Sequence, residues 1–156
     1  MSKRIKGNGS GKGLNIGIVV SRWNSEITEG LLRGAIHALL ASDIRESDII
    51  TIEVPGAFEI PFALELLAKS KKHDSLIALG CIIKGETAHF DLIADATFKG
   101  ICSVMEKYLI PVSCGVLTTY TTEQASARSA DDEENKGSEA ALVAIEMANL
   151  AKQLKG

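Results

Sequence analysis

The chain has 156 residues, of which 46% are hydrophobic and 24% charged, as expected for one globular domain with little room for a second. Its formal net charge of −3 gives no indication of nucleic acid or an anionic membrane as a partner. No apolar run approaches the about 20 residues that span a bilayer, and none follows the basic N-terminal residues as in a secretory signal.

Residues 1–13 are predicted to form a flexible arm, and residues 14–156 the folded domain. Within the arm, GNGSGKG (7–13) looks like a phosphate-binding loop. Such a loop follows a strand, opens a helix and carries Ser or Thr after its lysine, whereas this segment precedes the first strand and continues with Gly13. We therefore assign no phosphate to it.

Two kinds of hydrophobic period alternate after the arm. Four short apolar, β-branched runs predict buried strands: LNIGIVV (14–20), IITIEV (49–54), SLIALGCII (75–83) and PVSCGVLT (111–118). Apolar residues at steps of three and four predict helices that end near Ala41, start near Ile60, span about Leu92–Leu109 and start at Gly137, with a short helical turn over Thr122–Arg128. The last helix carries one apolar face, made of Val143, Met147, Leu150, Ala151 and Leu154.

This alternation of strand and helix predicts an α/β protein. We expect a single-domain, three-layer α/β/α sandwich of the flavodoxin-like type, with a four-stranded parallel sheet and helices on both faces. In such sheets ligands bind beyond the carboxyl ends of the strands. The loops to inspect are therefore those that follow the strands, at residues 21–24, 55–58, 84–89 and 118–122.

The three cysteines give no indication of a metal site or a redox pair. Cys81, Cys102 and Cys114 are widely spaced in apolar surroundings and match neither a CxxC pair nor the spacing of metal ligands. We interpret them as reduced, buried thiols, which is typical of a cytoplasmic protein.

The loops after the first and second strands each carry one residue with two interpretations. Trp23, the only tryptophan, is either a packing aromatic or a platform for a flat heterocycle, with Asn24 beside it. In PGAFEIP (55–61), Glu59 falls in the first turn of a helix, where the helix dipole favours a carboxylate. Alternatively, Glu59 and the exposed backbone hold the hydroxyl groups of a ligand.

The loop after the third strand, in GCIIKGETAHFD (80–91), holds the strongest candidates. The N–H groups of Gly85, Glu86 and Thr87, close to a helix start, suit an anion such as phosphate. His89 follows, and imidazole is the side chain that ordinarily gains and loses protons near neutral pH. A capping or surface role for His89 is an equally good interpretation.

Arg128 and Lys136 flank the acidic segment SADDEEN (129–135). They are either solvated cations or groups that reach an anionic substrate, across a subunit boundary if necessary. Taken together, the loops suit a flat heterocycle, a small phosphate and proton-transfer chemistry. Neither a metal-ligand set nor a Ser-His-Asp or Cys-His arrangement can be defended from the sequence.

Five segments, in this order, resemble the 6,7-dimethyl-8-ribityllumazine synthase family over about residues 13–154: IGIVVSRWN (16–24), VPGAFEIPFA (54–63), LGCIIKGETAHFD (79–91), GVLTT (115–119) and NKGSEAALVAIEMANL (135–150). The family carries out the penultimate step of riboflavin biosynthesis. The resemblance implies a transferase that condenses 5-amino-6-(D-ribitylamino)uracil with 3,4-dihydroxy-2-butanone 4-phosphate. Phosphate and water are released, and neither a metal nor an organic cofactor is needed.

The resemblance also implies roles for individual residues. The ribitylamino-uracil would contact Trp23, which stacks on the pyrimidine, Ala57, Phe58, Glu59 on the ribityl hydroxyls, Cys81, Ile82, Ile83 and Cys114. The butanone phosphate would be bound by Gly85, Glu86, Thr87 and Arg128. His89 would be the proton donor, and Asn24 and Lys136 are further candidates near the site. Cys114 departs from the family pattern, because many members have an aromatic residue there.

The resemblance implies a homopentamer whose sites lie between neighbouring subunits, and in some members a shell of twelve pentamers. The segment between Arg128 and Lys136 lacks the insertion associated with free pentamers, which favours the icosahedral shell. Riboflavin synthase is a candidate partner.

Two rival hypotheses assign the chain another function. The first is a flavodoxin-like electron carrier with bound flavin mononucleotide, which offers no role for His89. The second is a shell protein without catalysis, which offers no role for Trp23, Glu59 or His89.

Overall fold

A computed structural model describes residues 1–156 of the chain. The elements follow in chain order: β1 (Ile16–Ser21), α1 (Ser25–Ala41), β2 (Ile49–Val54), α2 (Ile60–Ser70), β3 (Ser75–Ile83), α3 (His89–Tyr108), β4 (Val112–Thr119), α4 (Thr122–Ser129) and α5 (Lys136–Lys155). Single 3-10 turns, Glu46–Asp48 and Ala57–Glu59, precede β2 and α2. No helix combines the length and the hydropathy that crossing a bilayer requires.

The four strands form one sheet in the order β2-β1-β3-β4, and every pair is parallel. Ile16 of β1 lies between Ile49 of β2 and Ser75 of β3, and Ile83 pairs with Thr119 at the other end of the sheet. The central strand β1 is buried throughout, as is β3 up to its last residue. Continuous apolar runs suit such strands because helices cover both faces of the sheet.

Two hydrophobic clusters, one on each face of the sheet, form the core. Helices α1 and α5 supply Leu31, Leu39 and Ile145 to the first cluster. Helices α2 and α3 supply Leu64 and Ile101 to the second. The predicted three-layer α/β/α architecture with a four-stranded parallel sheet is therefore confirmed.

The buried face of α5 is not the apolar face that stands out in the sequence. Val143, Met147 and Leu154 are 44%, 40% and 64% exposed. The residues that face the core are mostly small: Gly137, Ala140, Ala141, Ala144, Ile145 and Ala148. Small residues are required here because α1 lies very close to α5, so that a Cβ on Gly137 would overlap the main-chain carbonyl of Leu31.

The N-terminal residues lie along α5. The side-chain amide of Asn149 donates to the main-chain oxygens of Asn8 at 3.0 Å and Ser10 at 2.8 Å, and that of Gln153 donates to Lys6 at 3.0 Å. A Cβ on Gly7 would overlap the Glu146 carbonyl, so the close approach of the two segments depends on glycine. The predicted flexibility of residues 1–13 stays a prediction.

One predicted helix boundary and one predicted burial differ from the structure. Helix α3 begins at His89, three residues before the predicted start near Leu92, and Ala88 before it makes no side-chain cap. His89 therefore belongs to the first turn of a helix. The expectation that all three cysteines are buried is wrong: Cys81 is buried, whereas Cys102 and Cys114 are exposed.

Candidate active site

A cavity of about 620 Å³ opens at the carboxyl edge of the sheet, between the ends of β1 and β3 and the loops that follow β1, β2 and β3. Its size lies within the range of small-molecule sites. The residues that line it are Trp23, Asn24, Gly56, Ala57, Phe58, Glu59, Cys81, Ile82, Ile83, Gly85, Thr87, His89, Phe90, Ile93 and Thr122. The cavity thus lies at the strand-to-helix loops, where the parallel sheet predicted a ligand site.

Two aromatic side chains stand at the rim of this cavity. Trp23 is 73% exposed and Phe58 is 60% exposed. A packing role does not account for an indole this open to solvent. Exposed flat apolar surfaces beside a cavity are typical of ligand-binding sites.

The backbone around Trp23 is fixed by hydrogen bonds to both neighbouring strands. The N–H of Trp23 donates to the Pro55 carbonyl at 3.0 Å, and the N–H of Arg22 donates to the Val54 carbonyl at 2.8 Å. The side-chain amide of Asn24 donates to the Cys81 carbonyl at 3.0 Å. The indole is therefore held on a rigid support, which a stacking platform requires.

Glu59 combines a structural contact with a free oxygen. Its Oε2 accepts a hydrogen bond from the Gly56 N–H at 3.1 Å, which completes a capping box around the turn before α2. Glu59 therefore lies at the start of α2, as predicted, where its carboxylate caps the turn. Its Oε1 accepts no hydrogen bond within the chain and is available to a ligand's hydroxyl groups.

The loop after β3 presents unpaired main-chain N–H groups. Lys84 donates to the Thr119 carbonyl at 2.9 Å, but the N–H groups of Gly85, Glu86 and Thr87 donate no hydrogen bond within the chain. A Cβ on Gly85 would meet no atom within 4 Å, so the space beside it is open. Three free donors before the N-terminus of a long helix form a suitable nest for an anion.

His89 lies at the cavity wall in the first turn of α3 and is exposed. Its main-chain N–H donates to Thr87 Oγ1 at 3.3 Å, whereas its imidazole makes no hydrogen bond within the chain. The capping interpretation of His89 therefore does not describe its side chain. The free imidazole is close to the anion nest and able to exchange protons with a ligand.

Cys81 forms part of the floor and is not a nucleophile. The residue is 3% exposed, and burial raises the pKa of its thiol to about 11. A thiol of this kind stays protonated near neutral pH and serves as an apolar wall. No group of three His, Cys, Asp or Glu side chains is arranged to hold a metal ion.

The other predicted site residues lie elsewhere on the same chain. Cys114, Arg128 and Lys136 line a second cavity of about 280 Å³, between the edge strand β4 and α5. Arg128 donates to the Gln124 carbonyl at 2.9 Å, and Lys136 pairs with Glu139 at 2.8 Å. Glu86 is exposed on its loop and does not line the first cavity. The predicted set is thus divided between two cavities.

Four residues of the first cavity were not singled out from the sequence: Gly56, Phe90, Ile93 and Thr122. The predicted helix start near Leu92 left Phe90 outside α3, and the apolar period that includes Ile93 gave no sign that it faces the cavity. Gly56 lies within the PGAFEIP segment but was assigned no role of its own. Thr122 carried no recognisable signal, because its contribution depends on how α4 folds back across the end of β4.

The fold and the cavity together define a flavodoxin-like α/β protein with a small-molecule site at the carboxyl edge of its parallel sheet. The sequence places it more narrowly. The model of the family described as 6,7-dimethyl-8-ribityllumazine synthase matches residues 13–152, and the chain belongs to this family.

Two curated relatives bear the same description. The chain is 48% identical over 145 residues to the 6,7-dimethyl-8-ribityllumazine synthase of Kosmotoga olearia. The matched region covers 93% of each protein. It is 49% identical over 146 residues to the 6,7-dimethyl-8-ribityllumazine synthase of Nitrosomonas europaea. The matched region covers 94% of this chain and 87% of the relative. The family resemblance inferred from the five segments is confirmed.

Proposed function

We propose that this protein is a cytoplasmic transferase that forms 6,7-dimethyl-8-ribityllumazine in riboflavin biosynthesis. Its substrates are 5-amino-6-(D-ribitylamino)uracil and 3,4-dihydroxy-2-butanone 4-phosphate, and no cofactor takes part. The observation that carries the proposal is one cavity, in a member of this family, that combines an exposed indole, free main-chain donors and a free imidazole.

The ribitylamino-uracil occupies the part of the cavity between Trp23 and the end of β3. The pyrimidine stacks on the indole, and Cys81, Ile82 and Ile83 form the apolar wall behind it. Ala57 and Phe58 border the same space, and Asn24 stands beside the ring. Glu59 Oε1 accepts hydrogen bonds from the ribityl hydroxyls, since Oε2 is already engaged with Gly56.

The butanone phosphate places its phosphoryl group on the N–H groups of Gly85, Glu86 and Thr87. The Thr87 hydroxyl and the N-terminus of α3 add to this anion site. The reacting carbon atoms then extend toward the pyrimidine amine. Holding two substrates in register in this way is worth up to about 7–11 kcal/mol of the activation barrier.

The chemistry requires repeated proton transfers. The amine attacks the ketone to give a carbinolamine, which loses water to give an imine. Elimination of phosphate, ring closure and loss of a second water complete the product. His89 supplies and removes protons in these steps, a contribution of typically about 10²–10⁴-fold in rate.

The division of the predicted residues between two cavities supports a site built by two copies of the chain. We infer that Cys114, Arg128 and Lys136 of one subunit close the Trp23 cavity of its neighbour, with Arg128 on the phosphate. The edge strand β4, which pairs on one side only, supplies this second half. A head-to-tail contact of this kind forms a closed ring where its rotation closes, and we propose a pentamer, twelve of which form a shell.

The direct test of the function mixes the purified protein with both substrates and follows lumazine fluorescence. We expect product only when both substrates and the protein are present. Omission of either substrate is the control, and the mixture of both substrates without protein reports the background. Absence of lumazine with native, colourless protein contradicts the proposal, and a tightly bound yellow flavin would instead indicate an electron carrier.

A mixing experiment tests the shared site. Chains carrying His89→Ala and chains carrying Arg128→Ala are co-expressed, so that mixed rings form. If His89 and Arg128 of one site come from different subunits, about a quarter of the sites in a random ring regain both residues. Activity that does not exceed that of either variant alone contradicts a shared site.

Light scattering tests the assembly separately. We expect the mass of a shell of twelve pentamers, and a mass near that of five chains contradicts the shell while leaving the pentamer. Riboflavin synthase is proposed as a partner on family grounds, and co-purification with the assembled protein tests it.

A further inference from the structure

Lys84 and Tyr120 are the first residues beyond two adjacent parallel strands. Ile83 of β3 pairs with Thr119 of β4, and the Lys84 N–H donates to the Thr119 carbonyl at 2.9 Å. Lys84 Nζ lies 5.4 Å from the centroid of the Tyr120 ring, which is a cation–π distance. The two strand ends are thus joined by a main-chain and a side-chain contact.

The backbone that carries the Tyr120 ring is anchored. The main-chain N–H of Tyr120 donates to Gln124 Oε1 at 2.9 Å, and the Thr119 hydroxyl donates to the Thr121 carbonyl at 2.9 Å. These bonds fix the short link between β4 and α4. An exposed tyrosine on a fixed link is able to act as a support for a flexible lysine.

The charge of Lys84 is not neutralised by this contact. No carboxylate oxygen lies within 4.0 Å of its ammonium group, and Glu86 on the same loop forms no ion pair. A carboxylate partner would cancel the charge, whereas an aromatic face attracts the cation and leaves the net charge of +1 in place. Lys84 immediately precedes Gly85 in the chain, so its side chain leaves the backbone next to the free N–H groups.

We propose that Tyr120 is a positioning residue that holds the Lys84 ammonium beside the loop of residues 85–87 without neutralising it, so that Lys84 attracts the phosphoryl group bound there. The identity of that group as butanone phosphate rests on the proposed function. The lysine side chain that joins the ammonium to the main chain beside Gly85 is shorter than the Debye length of about 8 Å at physiological salt, so the charge is felt at the nest.

Three substitutions of Tyr120 separate tethering from charge. Tyr120→Phe keeps the aromatic face and should leave the KM for the phosphate substrate unchanged. Tyr120→Leu removes the face and should raise this KM about 2- to 5-fold, the effect of one exposed cation–π contact. Tyr120→Glu introduces a carboxylate that cancels the charge and should raise this KM at least as much. The KM for the ribitylamino-uracil should stay constant in all three.

A double-mutant cycle shows whether the ring acts through the lysine. In a Lys84→Met background, Tyr120→Leu should have no further effect on the KM for the phosphate substrate. An equal loss in both backgrounds overturns the proposal, as does a loss in Tyr120→Phe that matches the loss in Tyr120→Leu.

Calorimetric titration with inorganic phosphate tests the pair without turnover. We expect the Kd for phosphate to rise in Tyr120→Leu and Tyr120→Glu but not in Tyr120→Phe, and the difference to shrink as salt increases. Unchanged phosphate affinity in the Leu and Glu variants overturns the proposal. If phosphate binding follows the ring but native protein forms no lumazine, the proposed function fails and the role of Lys84 and Tyr120 stands.

Discussion

The side-chain amide of Asn24, the residue just before α1, donates a hydrogen bond to the Cys81 carbonyl near the end of β3, at 3.0 Å. Asn24 has a φ of 63° and a ψ of 50°, which lies in the left-handed region. Asparagine is one of the few residues other than glycine that adopt this conformation readily. One residue thus satisfies both the backbone turn after Trp23 and the link between two strands.

Replacing Asn24 should separate these two contributions. Asn24→Ala loses the amide and strains the backbone, and we expect it to lower the free energy of unfolding by about 1–3 kcal/mol. Asn24→Gly loses the same hydrogen bond but adopts the left-handed conformation freely, so its loss should be smaller. Urea denaturation measures both. Equal losses in the two variants would show that backbone conformation makes no contribution.

Loss of the His89 imidazole should slow the reaction without abolishing it. We expect His89→Ala to reduce kcat by about 10²–10⁴-fold, because general acid–base catalysis is lost while substrate alignment stays. Steady-state fluorescence assays measure this. His37→Ala, on the exposed face of α1, is the matched control. A kcat equal to that of the unmodified protein would remove His89 from the mechanism.

The close contact between α1 and α5 predicts a strong effect of one methyl group. In Gly137→Ala the new Cβ would overlap the Leu31 carbonyl, which belongs to a helix backbone and cannot move aside easily. We expect a loss of about 1–3 kcal/mol in the free energy of unfolding, although alanine is the better helix former. Gly9→Ala is the control, because a Cβ there meets no atom within 4 Å. Similar stabilities of the two variants would contradict the close packing.

His73 predicts a dependence of stability on pH. Burial lowers the pKa of its imidazole, and the Leu67 carbonyl and Asp74 only partly oppose this effect, while Lys72 adds to it. As pH falls through the ordinary histidine pKa of about 6.5, the unfolded chain takes up a proton that the folded protein resists. The free energy of unfolding should therefore decrease with falling pH.

The test compares the unmodified protein with His73→Gln. Urea denaturation is carried out at several values between about pH 7.5 and about pH 5.5, the window set by the ordinary imidazole pKa. We expect a shallower loss of stability in the variant, because one proton-linked term is gone. Parallel curves for the two proteins would mean that His73 does not contribute.

Cys81 should resist alkylation that modifies an exposed thiol. Its pKa is raised to about 11 by burial, and only the thiolate reacts. With iodoacetamide at about pH 8.5, a pH near the ordinary thiol pKa, we expect label on the exposed Cys102 and none on Cys81 in the folded protein. Peptide mass spectrometry after labelling in urea, where both should react, is the control. Equal labelling of both residues in the folded protein would show that the cavity floor opens.

The sequence predicted what depends on local pattern. The bounds of β2 and β3 match the apolar runs 49–54 and 75–83, because β-branched residues bounded by turns leave little choice of strand ends. The loops of the site followed from the same pattern, because a parallel sheet places all its strand-to-helix loops at one edge.

The rest depended on contacts between distant segments. The buried face of α5 is set by its approach to α1, which no period within α5 reveals. Asn135 accepts bonds from the N–H groups of Gly137 and Ser138 and donates to the Gly30 carbonyl, 105 residues away. Its sequence neighbourhood gave no indication of that long-range bond. The placement of the predicted site residues along two separate cavities likewise depends on how α4 and α5 pack against the sheet.

The loops beyond the carboxyl ends of the strands stand apart from the core of the protein. Phe58, Glu86 and Tyr120 lie on these loops and belong to neither hydrophobic cluster, although the strands from which the loops emerge contribute residues to the clusters. Randomised libraries aimed at these three positions should therefore yield catalysts with altered substrate range that still tolerate heat as the parent does. Selection for new chemistry in this scaffold can therefore begin at these loops, because substitutions there leave the buried core unchanged.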